Sequence, residues 1–302
     1  MGRKALKIWI TGCAGFLGTR LAQRLTVAGH QVVGLSRRIC SAAGQAVAID
    51  LASDEAPEKL RKLGETFGYP EVVIHAASRQ PGQYSLAEYV KSNVLTTSNL
   101  VEALNCLPPT QVIYTSTLSV YGLPDRIPVK EIDSVNGKTS YALTKYWAEQ
   151  IVETLQNKSQ VIILRLPSLY GCGQADSFID GLARQAMDDE TIELFKHGEI
   201  VRDALHVDDV IDTIMQCVAN PPGPAFGCFN LGCGARITAS EYAQALVEAL
   251  GSKSAVVLVD RFPPNQPDLY ADIEGARRQI GFHPSGLMDS MKRYANELRT
   301  QS

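Results

Sequence analysis

Gly12, Gly15 and Gly18 recur at three-residue intervals, between an apolar run Lys7–Thr11 (KIWIT) and an amphipathic stretch from Phe16 to Ala28 that Gly29 ends. Glycines placed this way let a backbone turn sharply from a buried strand into a helix N-terminus. The free N–H groups and positive dipole end of such a helix favour an anion. The spacing differs from Gly-x-Gly-x-x-Gly, but the same physics applies. Such a turn either packs helix on strand or brings the backbone close to a dinucleotide pyrophosphate.

Beyond the loop, short apolar runs alternate with longer amphipathic ones. Strands are expected at Gln31–Leu35, Ala46–Asp50, Val72–Ala76, Gln111–Ser116 and Val161–Leu166, with helices near 86–105 and 141–155. Those strands are almost continuous Val, Ile and Leu, as parallel strands covered on both faces should be. The alternation predicts an α/β fold, a Rossmann-like doubly wound parallel sheet. After Leu166, Pro and Gly become frequent and the alternation fades. Residues 1–166 therefore read as a dinucleotide-binding domain, rejoined by 204–232 through a helix His206–Asn220 and a strand Gly227–Leu231. Residues 167–203 and 233–302 read as a smaller, irregular substrate-binding lobe.

The end of the second strand is where an adenosine ribose should sit, and an acid there would bind the 2′-hydroxyl of NAD. The chain has Ser36-Arg37-Arg38 instead. Two guanidiniums and a hydroxyl suit a 2′-phosphate, unless they form only a solvated basic turn. NADP is favoured over NAD on this ground.

Tyr141 and Lys145 stand four residues apart and share one face of a helix. A free phenol, with a pKa near ~10, is poorly matched to proton transfer at neutral pH. A neighbouring ammonium would stabilise the phenolate and lower that value. The pair follows a strand ending Tyr114-Thr115-Ser116-Thr117, and a hydroxyl at such a strand end is where open α/β sheets bind ligands.

With these residues in place, the chain resembles the extended short-chain dehydrogenase/reductase family, in its NAD(P)-dependent sugar-nucleotide epimerase/dehydratase branch. Thr11–Gly18 is similar to the family's TGxxGFxG loop, including Phe16 and Leu17, and Asp50-Leu51 to its adenine-contacting site. His75-Ala76-Ala77 matches the HxAA segment under the cofactor, and Asn93 the helix asparagine. Thr115–Gly122, Leu164–Gly171, Arg202–Val210, Phe229–Gly232 and Asp272 resemble later family segments in order.

The resemblance implies Tyr141 as proton donor or acceptor, with Lys145 lowering its pKa and holding the nicotinamide ribose. Thr117 would stand in for the usual Ser and bond the reacting sugar oxygen. It also implies Gly12, Gly15, Phe16, Leu17, Gly18, Ser36, Arg37, Arg38, Asp50, Leu51, Ala76, Ala77 and Asn93 as cofactor contacts. Ser168 and Arg202 would meet the substrate; Arg202 suits a diphosphate, or else an ion pair with Asp203 or Asp208.

Leu118 and Ser119 occupy the positions where a 4,6-dehydratase of this family carries acids, so that reaction is disfavoured. The basic turn after the second strand tilts the reading toward an NADPH-dependent reductase of a 4-keto-6-deoxy sugar nucleotide. The alternative is a sugar-nucleotide 4-epimerase with a recycled cofactor. Behind these stand a non-sugar carbonyl reductase and a non-catalytic dinucleotide-binding regulator.

Net charge of −3, with basic residues dispersed, excludes a nucleic-acid footprint. Seven cysteines without a Cys-x-x-Cys pair point to reduced thiols and no metal site. No stretch approaches ~20 apolar residues, so a cytoplasmic protein away from membranes is expected. The helices near 86–105 and 141–155 resemble those that pair in family dimers, which implies a homodimer.

Overall fold

The computed structural model describes residues 4–174, 177–261 and 268–301. They divide into two compact units. The first comprises residues 1–122, 135–165 and 214–229; the second comprises 123–134, 166–213 and 230–302.

The first unit is built on strands β1 (Lys7–Thr11), β2 (Gln31–Ser36), β3 (Gln45–Ala48), β4 (Val72–His75), β5 (Gln111–Thr117) and β6 (Gln160–Leu166). Helices α1 (Phe16–Val27), α2 (Ala56–Phe67), α3 (Leu86–Tyr89), α4 (Thr96–Cys106) and α5 (Ser140–Glu153) connect them. A seventh strand, Phe226–Asn230, completes a sheet whose order places it beside β6, followed by β5, β4, β1, β2 and β3. From β5 to β3 every pairing is parallel. The fold class expected from strand composition is therefore found, as a seven-stranded Rossmann-like sheet.

Burial explains the pattern. Ile8, Trp9, Ile10 and Ile74 are almost fully buried, while Leu21, Ala22 and Leu25 turn one face of α1 inward. Between β1 and β4 the strand order reverses, because the chain runs outward to β3 before returning to the other side of β1. Such a switch point opens a crevice beyond the carboxyl ends of the two strands, where open α/β sheets bind ligands.

Strand β3 starts and ends earlier than expected, at Gln45–Ala48 rather than Ala46–Asp50. The helical stretch near 86–105 is not uniform: between α3 and α4 lies a π-helical turn, Val90–Leu95. Helix α2 has no counterpart in the sequence reading. Its Lys- and Glu-rich sequence hides a narrow stripe of Ala56, Leu60 and Gly64, which are buried.

In the second unit, β7 (Ser168–Tyr170) pairs parallel with β9 (Ala204–His206), and β8 (Ile192–Leu194) with β11 (Val256–Leu258). The strand numbered between these last two is Phe226–Asn230, β10. Helices α6 (Phe178–Met187), α8 (Ala239–Leu250), α9 (Glu274–Ile280) and α10 (Leu287–Gln301) belong here, while α7 (Val207–Ala219) follows β9 directly. Ile179, Leu182, Tyr242, Leu246, Met291 and Tyr294 form its core. The expectation of an irregular lobe is thus corrected. Its helices are strongly amphipathic, so their apolar residues are spaced too widely to read as runs. Among the described residues no helix is long and apolar enough to cross a membrane.

Candidate active site

The glycine loop joins β1 to α1 in the first unit. Gly12 has φ of +71°, and a Cβ on it would stand 2.7 Å from the Ala77 nitrogen and 2.8 Å from the Ala76 oxygen. A Cβ on Gly18 would collide with the Gly12 carbonyl oxygen. These two glycines let the loop, the first turn of α1 and the chain after β4 close on one another.

Gly15 is different. It is exposed, and a Cβ there would meet only the Gly12 oxygen, at 3.2 Å. Gly15 is also the N-cap of α1, no side chain caps that terminus, and no acid lies in its first turn. An exposed glycine beside uncapped helical N–H groups fits the pyrophosphate of a dinucleotide.

A buried polar chain links this loop to α5. The Thr11 hydroxyl lies 2.6 Å from His75 Nδ1, and His75 Nε2 lies 2.9 Å from the Thr97 hydroxyl. Thr97 donates in turn to the Asn93 carbonyl. The Asn93 side chain accepts from the Arg79 N–H at 2.8 Å and donates to the Thr144 hydroxyl at 3.1 Å. Burial pulls the His75 imidazole down to about 3, aided by the Lys145 charge, so it stays neutral at ordinary pH. Asn93 sits in the π-helical turn, and such turns within α-helices are a frequent mark of functional sites. Both ends of its amide are held by protein.

At the end of β5, the Thr117 hydroxyl donates to the Ser119 hydroxyl at 3.2 Å and accepts from the Ser119 N–H at 3.2 Å, and it lies close enough to Tyr141, on the first turn of α5, to hold that phenol's pKa down. Thr117 and Tyr141 are both buried. Lys145 is 2% exposed; its ammonium donates to the Thr115 carbonyl at 2.6 Å and lies 4.3 Å from the Tyr114 ring centre. This corrects one expectation. Burial pushes the Tyr141 phenol up to about 12, with the Thr117 hydroxyl opposing, rather than down. Burial pulls Lys145 itself down to about 7, while the Glu149 charge opposes.

The remaining residues singled out by sequence lie as follows. Arg37 and Arg38 are exposed beyond β2, and the Ser36 hydroxyl donates to the Arg38 carbonyl. Phe16 and Leu17, in the first turn of α1, and Ala76 and Ala77, beyond β4, are all half-buried. Asp50 is exposed and accepts from the Ala52 N–H at 3.1 Å, while the Leu51 side chain packs into the core.

Ser168 and Arg202 belong to the second unit. Ser168 is exposed on β7. Arg202 is half-buried, its guanidinium 6.0 Å from the Phe178 ring centre. The acid whose charge bears on Arg202 is Asp268. Asp203 is engaged elsewhere, accepting from the Cys233 N–H at 2.8 Å and the Ala271 N–H at 2.9 Å.

Sequence reasoning missed Thr144, Glu149 and Arg165. The signals were present: Glu149 repeats the four-residue step from Tyr141 to Lys145, and Arg165 interrupts the apolar strand VIILRL.

A parallel sheet with an anion-ready glycine loop and a Tyr-x-x-x-Lys helix defines a dinucleotide-dependent enzyme of the short-chain dehydrogenase/reductase type. The chain belongs to the NAD-dependent epimerase/dehydratase family, whose model matches residues 8–232. UDP-glucuronate 4-epimerase 4 of Arabidopsis thaliana is 27% identical over 96% of this chain and 74% of its own. UDP-glucose 4-epimerase of Bacillus subtilis is 25% identical over 95% of this chain and 94% of its own. Among solved structures, MoeE5 in complex with UDP-glucuronic acid and NAD matches with a TM-score of 0.83 at 26% identity, covering 98% of this chain and all of that one.

Proposed function

We propose that the protein is an NAD-dependent 4-epimerase of a UDP-sugar, with a UDP-glucose or UDP-glucuronate type of substrate. The observation that carries the reading is the placing of the buried Thr117 hydroxyl, at the carboxyl end of β5, beside the buried phenol of Tyr141. Support comes from relatives named as UDP-sugar 4-epimerases over nearly the whole chain. These relatives favour the epimerase over the reductase that the basic turn suggested.

Bound NAD supplies a hydride acceptor that can return the hydride to the same carbon. Tyr141, as phenolate, takes the proton of the C4 hydroxyl and returns it when the ketone is reduced from the opposite face. Thr117 holds the C4 oxygen through its hydroxyl. Lys145 would hold the nicotinamide ribose through its ammonium. Gly12, Gly15, Phe16, Leu17 and Gly18 present backbone to the pyrophosphate; Asp50, Leu51, Ala76, Ala77 and Asn93 shape the rest of the dinucleotide site. Arg202 and Ser168, in the second unit, serve the nucleotide sugar, which makes that unit the substrate lobe.

Ser36, Arg37 and Arg38 also support acceptance of NADP, since two exposed guanidiniums can pair a 2′-phosphate. A cytoplasmic homodimer completes the reading; Trp147 on α5 and Leu86 on α3 leave large apolar surface exposed.

The test is to incubate the purified protein with NAD and UDP-glucuronate or UDP-glucose, following the sugar by proton NMR. The expected result is interconversion of C4 epimers without net change in nicotinamide absorbance. Stoichiometric NADPH consumption with a 4-keto-6-deoxy sugar nucleotide, and no epimerisation, would establish the reductase instead.

A further inference from the structure

One helical turn beyond Lys145, Glu149 is 1% exposed. Its carboxylate accepts from Arg165 Nε at 3.1 Å and Nη2 at 2.7 Å, a two-pronged pairing, and from the Ser116 hydroxyl. Arg165, on β6, is 6% exposed; it also donates to the Tyr121 hydroxyl at 2.9 Å and lies over that ring. All these groups belong to the first unit.

A buried ion pair is weak evidence for stability, because desolvating both ions offsets most of their attraction. Its position suggests another purpose. Ser116 stands between Thr115, whose carbonyl receives the Lys145 ammonium, and Thr117, whose hydroxyl bears on the Tyr141 phenol. Lys145 and Glu149 thus fasten α5 to two successive residues of β5.

The titratable groups facing Lys145 are His75 from β4, Tyr114 from β5 and Glu149 from α5 itself, with Tyr141 one turn earlier on the same helix. His75 is neutral above about 3, and burial raises both phenols. Of these four groups, Glu149 is the one carboxyl, and it is the group whose charge opposes the effect of burial on the lysine.

We infer that Glu149, held in place by Arg165, is a positioning residue that keeps Lys145 charged and directed at the end of β5. The inference rests on the catalytic reading of Tyr141 and Lys145. Glu149 touches neither cofactor nor substrate in this scheme and acts only through the lysine.

The test compares the full-length wild type with Glu149→Gln, Glu149→Asp and the double variant Glu149→Gln/Arg165→Met, which leaves no unpaired buried charge. The first readout is the NMR titration of the Lys145 ε-carbon, with and without added NAD. Glu149→Gln and the double variant should titrate at least about one pH unit lower, a tenfold loss of proton affinity, with Glu149→Asp between them and the wild type. The second readout is turnover against pH, whose alkaline limb should move to lower pH with kcat falling more than KM. An unmoved titration in the folded double variant, with only thermal stability reduced, overturns the inference. If the titration moves but no UDP-sugar is epimerised, the proposed reaction fails and the role of Glu149 stands.

Discussion

The ammonium of Lys145 is bound by the carbonyl oxygen of Thr115, 2.6 Å away on the neighbouring strand. The lysine is thereby anchored to β5, the same strand that carries Thr117. Helix α5 and strand β5 present the phenol, the hydroxyl and the ammonium as one unit, set by backbone and burial rather than by flexible side chains.

That burial makes stability depend on pH. Lys145 is pulled from an ordinary 10.5 down to about 7. Between those values the unfolded chain binds more protons than the folded one, so resistance to unfolding rises with pH across the window; below about 7 both states are protonated and the contribution is constant. Urea unfolding at pH 7 and pH 9 should show the wild type gaining relative to Lys145→Met. An equal response of the two proteins would mean that the lysine does not titrate there.

Removing the phenol oxygen should separate chemistry from folding. Tyr141→Phe is expected to lower kcat by ~10²–10⁴ while the melting temperature changes little, since the ring packing is kept. Thr117→Ser should retain most activity and Thr117→Val should lose it. Equal turnover by the valine and serine variants would remove Thr117 from the mechanism.

The glycine loop offers a contrast between two single methyl groups. Gly12→Ala forces a left-handed residue and a 2.7 Å clash with backbone, so it should cost on the order of 1–3 kcal/mol of stability as well as cofactor binding. Gly15→Ala meets one atom at 3.2 Å and should fold normally, yet bind NAD more weakly. Calorimetric melting alongside NAD titration distinguishes the two; full NAD affinity in Gly15→Ala would contradict pyrophosphate binding at that N-terminus.

Arg37→Ala and Arg38→Ala should act on one cofactor only. Losing a guanidinium from the turn after β2 is expected to weaken NADP(H) by about tenfold or more while NAD binding stays within about twofold. Parallel losses for both cofactors would assign the arginines to the shared part of the dinucleotide.

Most of the sheet was legible because its strands are buried on both faces and read as apolar runs. The glycine loop and the pair Tyr141–Lys145 were legible for a similar reason: local spacing alone specifies turn and helix face. What escaped was set by tertiary contact. Whether Lys145 lowers the Tyr141 phenol depends on where its ammonium goes, and the Thr115 carbonyl lies thirty positions earlier in the chain. The π-helical turn at Asn93 is likewise stabilised by Thr144, on another helix. Helices α6, α8, α9 and α10 of the second unit escaped because their apolar residues recur at helical spacing rather than as runs.

The strand order also imposes a timetable on the newborn protein. β1 leaves the ribosome before β2 and β4, but in the finished sheet it lies between them, and Gly12 rests on the backbone of Ala76 and Ala77. A nascent chain that ends before β4 therefore has the glycines without the wall against which they close. Because such distant pairings are slow to form, cofactor affinity should emerge late in synthesis, as a step rather than a gradual gain.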